Sequence, residues 1–416
     1  MKSIKLLALF IFITFMSCAQ EPQTPEAWLL KHTFELEPNG NYDFTALGKA
    51  IGNKRIVAIG ESSHGLGKYY ELKAALVKYL YEEKGFEVIA MEGGLGDINL
   101  AYSNIDTLSA IGLRNSTIFG NFRAAEATPM FELIKDQSTT EKPLHFTGYD
   151  TQASSDYVQN VLSKMLKPYH KELSDSIQTR LWSYGRAYQA GNKGDSIGFI
   201  KHRDIFLNTS AEAEMILIQN SVEIKKNFNL SNFQFNILKR TLEMFQKSYN
   251  LPFEKRYQGT ALRDKLMAEN LIWLMEEIYP DKKIIVWAHN VHIENANAEH
   301  QNIKWMGHYL KETYKDQYYA LGLFAYKGNT YQHWTKKTIP FENNGANYLE
   351  KKMIDTGKKA VFLNLEKMIQ NENTQWLFEP VNAYEVENMG EVSFIPTKRL
   401  DGMITVYQSE IPTYDK

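Results

Sequence analysis

The sequence contains a single cysteine, Cys18, in 416 residues. No intramolecular disulfide is therefore available, and thiol chemistry has one candidate atom. Neither charge dominates: 47 Lys and Arg stand against 49 Asp and Glu, a net of −2, mixed along the chain. The basic stripe that phosphate-backbone binding requires is missing, so nucleic acid is not expected as a partner. The 12 prolines and 25 glycines never gather with serine into a linker, which argues against two independent modules. Internal repeats and low-complexity tracts are missing too. The longest apolar run, Leu6 to Met16, is too short to span a bilayer. The remaining 44% hydrophobic and 23% charged residues give the composition of a globular chain that buries a large core.

The first residues differ in kind. Lys2 and Lys5 precede the Leu6–Met16 run in the layout of a secretory signal. The run ends at Phe15-Met16-Ser17-Cys18, a small residue followed by Cys, which resembles a bacterial lipobox whose Cys is acylated and becomes the new amino terminus. Residues 1–18 are therefore read as a lipoprotein signal peptide. The mature chain is expected in the cell envelope, attached to a membrane through lipidated Cys18, on the periplasmic side or at the outer surface. The alternative is a plain signal peptide with a chance Cys.

Residues 19–416 read as one α/β domain with a mostly parallel central sheet flanked by helices. Arg55-Ile-Val-Ala-Ile59 is a short buried strand that stops at Gly60. From Lys68 to Lys84, apolar residues at Leu72, Ala75, Leu76, Tyr79 and Leu80 predict a helix with one buried face, closed by Gly85. Phe86 to Met91 is a second strand, so the segment is a βαβ unit with parallel strands. Leu144–Tyr149 and Lys283–Ala288 are two more strands, the last preceded by an amphipathic helix over Thr260–Tyr279. Residues 155–250 are helical throughout and form a cap. Tyr318–Ala325, Lys359–Leu363 and Gly402–Val406 complete the sheet.

In open parallel sheets, ligands bind outside the carboxyl ends of the strands. That rule selects Glu61 and His64 after the first strand, Glu92 after the second, Asp150 after the third, and His289 with His292 after the fourth. Carboxylates and imidazoles converging on one rim are what acid–base or metal chemistry needs. Glu61 lies three residues before His64, close enough to fix its tautomer if the loop makes a helical turn. Gly60 and Gly65 are read as permitting a sharp turn that leaves the imidazole facing the rim. Asp150 reads equally as a helix cap, and Arg263 as an ion-pair partner of Asp264 or a nearby carboxylate. Gly65-Leu-Gly67-Lys-Tyr-Tyr70 lacks the third glycine of a dinucleotide fingerprint, and Ser62 to Lys68 lacks the ends of a Walker loop, so no cofactor is called for. Gly60-Glu-Ser-Ser-His64 has His where a nucleophile elbow has Gly, which leaves serine catalysis a minor option.

Ile59-Gly-Glu-Ser-Ser-His-Gly65, Gly85-Phe-Glu-Val-Ile-Ala-Met-Glu92, Arg263-Asp-Lys-Leu-Met-Ala-Glu-Asn270 and Val286-Trp-Ala-His-Asn-Val-His292, in this order and separation, resemble the erythromycin esterase family over about residues 45–400. The resemblance implies hydrolysis of the macrolactone ester of 14-membered macrolides by activated water, without an acyl-serine; no metal ligands are assigned. It implies that His64 is the base and that Glu61, Glu92, Arg263, His289 and His292 share the active site. Arg263 or a protonated His289 is then a candidate to stabilise the oxyanion. The expected partner is a small-molecule ester, and the cap and the 13% aromatic content suit a bulky apolar one. Two other readings remain: a metal-dependent envelope hydrolase, although the His and Glu spacing is not H-E-x-x-H, and a lipoprotein that only binds its ligand.

Overall fold

The computed structural model describes residues 24–296, 303–385 and 390–414; Cys18 and the apolar leader lie outside them. The strands are β1 (Phe34–Glu35), β2 (Ile56–Ile59), β3 (Phe86–Gly94), β4 (His145–Asp150), β5 (Lys283–Trp287), β6 (Tyr318–Gln332), β7 (Lys337–Glu342), β8 (Ala360–Asn364), β9 (Val381–Glu385), β10 (Gly390–Phe394) and β11 (Gly402–Ser409). The main sheet runs β1-β8-β11-β6-β2-β5-β3-β4, with β7 folding back on β6; β9 and β10 form a separate hairpin. The pairs from β11 through β6, β2, β5, β3 and β4 are parallel, whereas β8 is antiparallel to both its neighbours. The sheet is thus mostly parallel and flanked by helices, as the sequence predicts.

Both faces of the sheet are covered, which explains why its central strands read as unbroken apolar runs. Ile56 and Ala58 of β2 and Ile284 and Val286 of β5 enter one core, while Val57, Ile59, Ile285 and Trp287 enter the other. The helix Gly67–Lys84 packs Leu72, Leu76, Val77 and Leu80 into the second core, and Gly85 ends it at φ 71°, the left-handed region that glycine tolerates best. The helix Gly259–Trp273 packs Met267 and Leu271 into the first and ends in a π-turn over Leu274–Ile278. Six helices fill residues 157–249; five bury their stripes in that same core, beginning with Val158, Leu162 and Met165, while Ala187 and Ala190 of the helix Ser183–Asn192 form a small separate cluster with Phe199. Among the described residues no helix is long and apolar enough to cross a membrane.

Two sequence expectations change in physical content. The strands β2 and β3 of the βαβ unit are parallel but not adjacent, because β5, arriving almost 200 residues later, is inserted between them. The glycines of the Gly60–Gly65 segment do not supply a positive φ. They make room: a Cβ on Gly60 would lie 2.2 Å from Asn290 Oδ1, and one on Gly65 would lie 2.2 Å from the Tyr331 carbonyl oxygen. The β6–β7 hairpin is pressed onto the loop there, with Tyr331 N–H donating to the Gly65 carbonyl at 3.1 Å and Ser63 Oγ 3.0 Å from Thr330 Oγ1. Gly65→Ala is therefore expected to destabilise the protein by about 1–3 kcal/mol, as overpacking against backbone does. Urea unfolding beside wild type measures this, and an unchanged midpoint contradicts the tight fit.

Candidate active site

Polar residues at the strand exits meet at one rim. Beyond β2, the chain turns so that Glu61 Oε1 lies 2.7 Å from His64 Nδ1, the three-residue contact expected from the sequence. The other carboxylate oxygen, Oε2, accepts from Lys73 Nζ at 2.7 Å. Lys73 and Glu61 have no exposed surface, and the ammonium lies 4.1 Å from the centre of the Trp287 ring. Burial pulls the Lys73 ammonium down to about 8, against the opposing charge of Glu61. Lys73–Glu61–His64 is thus a continuous chain from the interior to the rim. His64 meets Phe122 edge to face, with ring centroids 4.6 Å apart, and His289 at 5.3 Å.

The β3 strand delivers Glu92 opposite. Glu92 Oε1 accepts from Arg263 Nη2 at 3.0 Å and lies 3.5 Å from His292 Nε2, while Oε2 accepts the His289 backbone N–H at 3.2 Å. Burial alone would raise this carboxyl; the charges of His292, Arg263 and His64 outweigh it and hold Glu92 well below the usual carboxylate range. Asp150 at the end of β4 binds Arg263 through two nitrogens and accepts the Gln152 N–H in a local turn; it does not cap the following helix, which begins at Tyr157 after Asp156. The guanidinium Nε and Nη2 are thereby committed to Asp150 and Glu92, while Nη1 makes no hydrogen bond among the described residues. Arg263 does not pair by hydrogen bond with its sequence neighbour Asp264.

The segment after β5 carries three polar side chains with separate tasks. Asn290 bridges to β6, donating to the Leu323 carbonyl at 2.9 Å and accepting its N–H at 3.1 Å, which anchors the Trp287–His292 segment. His289 Nδ1 lies 3.4 Å from the Val291 N–H. Burial, and then the neighbouring His64 and His292, hold the His289 imidazole well below its usual range. That direction favours the neutral ring, against the expectation of a protonated His289 as oxyanion partner. His292 Nδ1 lies 2.7 Å from Asp264 Oδ1, and here Asp264 and Glu92 outweigh burial and raise the imidazole above its usual range.

All six sequence-selected residues, Glu61, His64, Glu92, Arg263, His289 and His292, are thus brought together. Ser62 and Ser63 are fully buried; Ser62 Oγ lies 2.8 Å from Tyr69 Oη and Ser63 Oγ faces Thr330. Sequence reasoning passed over Lys73 and undervalued Asp264. The signal in both was a charge on a buried helical stripe, Lys73 between Tyr69 and Leu76, and Asp264 before Met267 and Leu271. Among the described residues no group of three or more His, Cys, Asp or Glu side chains is arranged to hold a metal ion.

An α/β sheet covered on both faces, with oriented imidazoles and carboxylates at the carboxyl ends of its strands, is the framework of a hydrolase here. The chain belongs to the erythromycin esterase family, whose sequence pattern matches residues 81–409. It is 26% identical to the putative hydrolase YbfO of Bacillus subtilis (strain 168) over 421 residues, covering 96% of this chain and 94% of that one. It is 25% identical to an erythromycin esterase type II of Escherichia coli, over 73% of this chain and 78% of that one. A crystal structure of a Bacillus cereus protein matches with TM-score 0.72 at 19% identity, covering 94% of this chain and 98% of that one. A mutant of the erythromycin esterase EreC in its open conformation matches with TM-score 0.61 at 16% identity, over 91% and 97% of the two chains.

The geometry predicts a specific energetic pattern. Lys73→Met strands the Glu61 charge in the interior and is expected to cost about 3–5 kcal/mol, the usual result of breaking a buried ion pair. The double variant Lys73→Met, Glu61→Gln removes the orphaned charge and is expected to recover part of that loss. Denaturant unfolding of the three proteins reads the pattern, and equal stability of the single variant and wild type contradicts it.

Proposed function

We propose that this hydrolase cleaves a carboxylic ester with a water molecule activated by His64, and that the ester is the macrolactone of a 14-membered macrolide. The observation carrying the reading is the Lys73–Glu61–His64 chain. Glu61 accepts the Nδ1 proton at 2.7 Å, which makes Nε2 the nitrogen that takes a proton from water while the ring remains correctly oriented. Arg263 Nη1, on a guanidinium already fixed by Asp150 and Glu92, supplies the donor for the tetrahedral oxyanion. Phe122 beside His64 gives the rim an apolar wall, suited to a substrate with a large hydrocarbon ring. The name of the E. coli relative supports the macrolide, and the lipobox-like Ser17-Cys18 supports a mature protein tethered to a membrane of the cell envelope.

Incubating the purified mature chain with erythromycin is expected to yield a product heavier by one water, seen by mass spectrometry. His64→Ala is expected to lower the rate by about 100-fold to 10,000-fold, the usual contribution of a positioned base. No mass gain with wild type overturns the macrolide, and a His64→Ala variant as fast as wild type overturns the base. For the anchor, Cys18→Ser is expected to move the expressed protein from the membrane to the soluble fraction on ultracentrifugation.

A further inference from the structure

Hydrolysing an alkyl ester needs two proton transfers, one from the attacking water and one to the departing alkoxide, which is too basic to leave unprotonated at neutral pH. The centre holds two imidazole–carboxylate pairs of equal length: His64 Nδ1 and Glu61 Oε1 at 2.7 Å, and His292 Nδ1 and Asp264 Oδ1 at 2.7 Å. They differ in what the second carboxylate oxygen meets. Glu61 Oε2 is bound by the Lys73 ammonium, which cancels its charge. Asp264 Oδ1 also accepts the Met306 N–H at 3.0 Å, but Asp264 Oδ2 is fully buried and has no hydrogen-bond partner.

The local charge count makes the same distinction. The groups facing His292 are Asp264 and Arg263 from one helix, Glu92 from β3, His289 from its own segment and Glu385 from β9. Asp150, Glu92 and Asp264 are three carboxylates around one guanidinium, Arg263, which hydrogen-bonds the first two, while the Lys73 ammonium acts on Glu92 only through its field. Burial and the neighbouring imidazoles push His289 toward its neutral form, and burial pushes Glu385 up to about 7, which removes much of its charge near neutrality. Protonated, His292 supplies Asp264 and Glu92 with a further positive charge, and its Nε2 lies 3.5 Å from Glu92.

We propose that His292 is the proton donor to the leaving alkoxide and that Asp264 is the positioning residue that keeps it charged. This rests on the ester-hydrolysis reading above. In the first step, His64 removes a proton from water and the oxygen bonds to the carbonyl carbon. In the second, the C–O bond to the alkyl group breaks, and its electron pair takes the proton from His292 Nε2. The products are a carboxylic acid and an alcohol. Solvent then returns a proton to His292 and receives the one on His64, restoring both rings. Two dyads with opposite third partners are thereby an acid and a base at one pH.

The test compares alkyl and p-nitrophenyl esters of one acid in wild type, Asp264→Asn and His292→Gln, together with NMR of isotope-labelled histidines. p-Nitrophenolate leaves without a proton, so the alkyl ester is expected to lose about 100-fold or more in kcat in either variant, with the aryl ester losing at least tenfold less. Removing the Asp264 charge lowers the affinity of His292 for its proton. The alkaline limb of the alkyl-ester profile is thus expected to move to lower pH in Asp264→Asn, and the NMR signature of charged His292 at neutral pH to vanish with it. Equal losses for both esters, or an unmoved alkaline limb, overturn the donor role. A neutral His292 in wild type overturns the proposal whatever the activity. Wild type inert toward both esters overturns the hydrolytic reading and the donor role with it, while the NMR result still decides separately whether Asp264 holds His292 charged.

Discussion

A lysine ammonium with no exposed surface organises this candidate site. Placing Lys73 and Glu61 in the interior has a desolvation cost of several kcal/mol per ion, offset only because the two meet at 2.7 Å with the Trp287 ring beneath the ammonium. The arrangement ties together three elements distant in sequence: the loop after β2, the helix Gly67–Lys84 and the end of β5. His64 inherits its orientation from this pair. With the Glu61 carboxylate held on one side by Lys73, the imidazole is aimed by a rigid group rather than by a mobile loop side chain. The close seating of Gly60 on Asn290 and of Gly65 on Tyr331 follows from the same requirement, since the loop cannot drift from the hairpin that braces it.

Much of the architecture was legible in the sequence because burial on both faces leaves a strong mark. The apolar runs at Ile56–Ile59 and Lys283–Trp287, the stripe from Leu72 to Leu80 and the left-handed Gly85 each announce an element and its end. The strand-exit rule then placed Glu61, His64, Glu92, Asp150, His289 and His292 on one rim before any contact was known. Lateral order was not legible. Nothing local to β2 or β3 says that β5 separates them, because hydrogen-bonding partners of a buried parallel strand are chosen by distant segments of similar apolar character. The reason for the glycines was hidden for a related cause: a close approach by Asn290 or Tyr331 leaves no signature at the glycine itself. Arg263 illustrates a third kind of blindness, since helical neighbours suggest Asp264 as partner whereas the fold supplies Asp150 from 113 residues away.

Both decisive charges that sequence reading missed or undervalued sit on helices, and on opposite faces of the sheet. Lys73 comes from a helix packed into the core that holds Val57, Ile59 and Trp287, and Asp264 from one packed into the core that holds Ala58, Val286 and Met267. Each reaches the carboxyl edge of the sheet from its own side and meets an imidazole there. A single-layer packing would force both dyads to share one set of neighbours and drift toward similar proton affinities. The two-sided sheet keeps them apart: a lysine neutralises the carboxylate behind one ring, and an unmatched carboxylate oxygen stands behind the other. The different surroundings of the two carboxylates are thus a property of the layer architecture, with the helices acting as the carriers of the charges that set them.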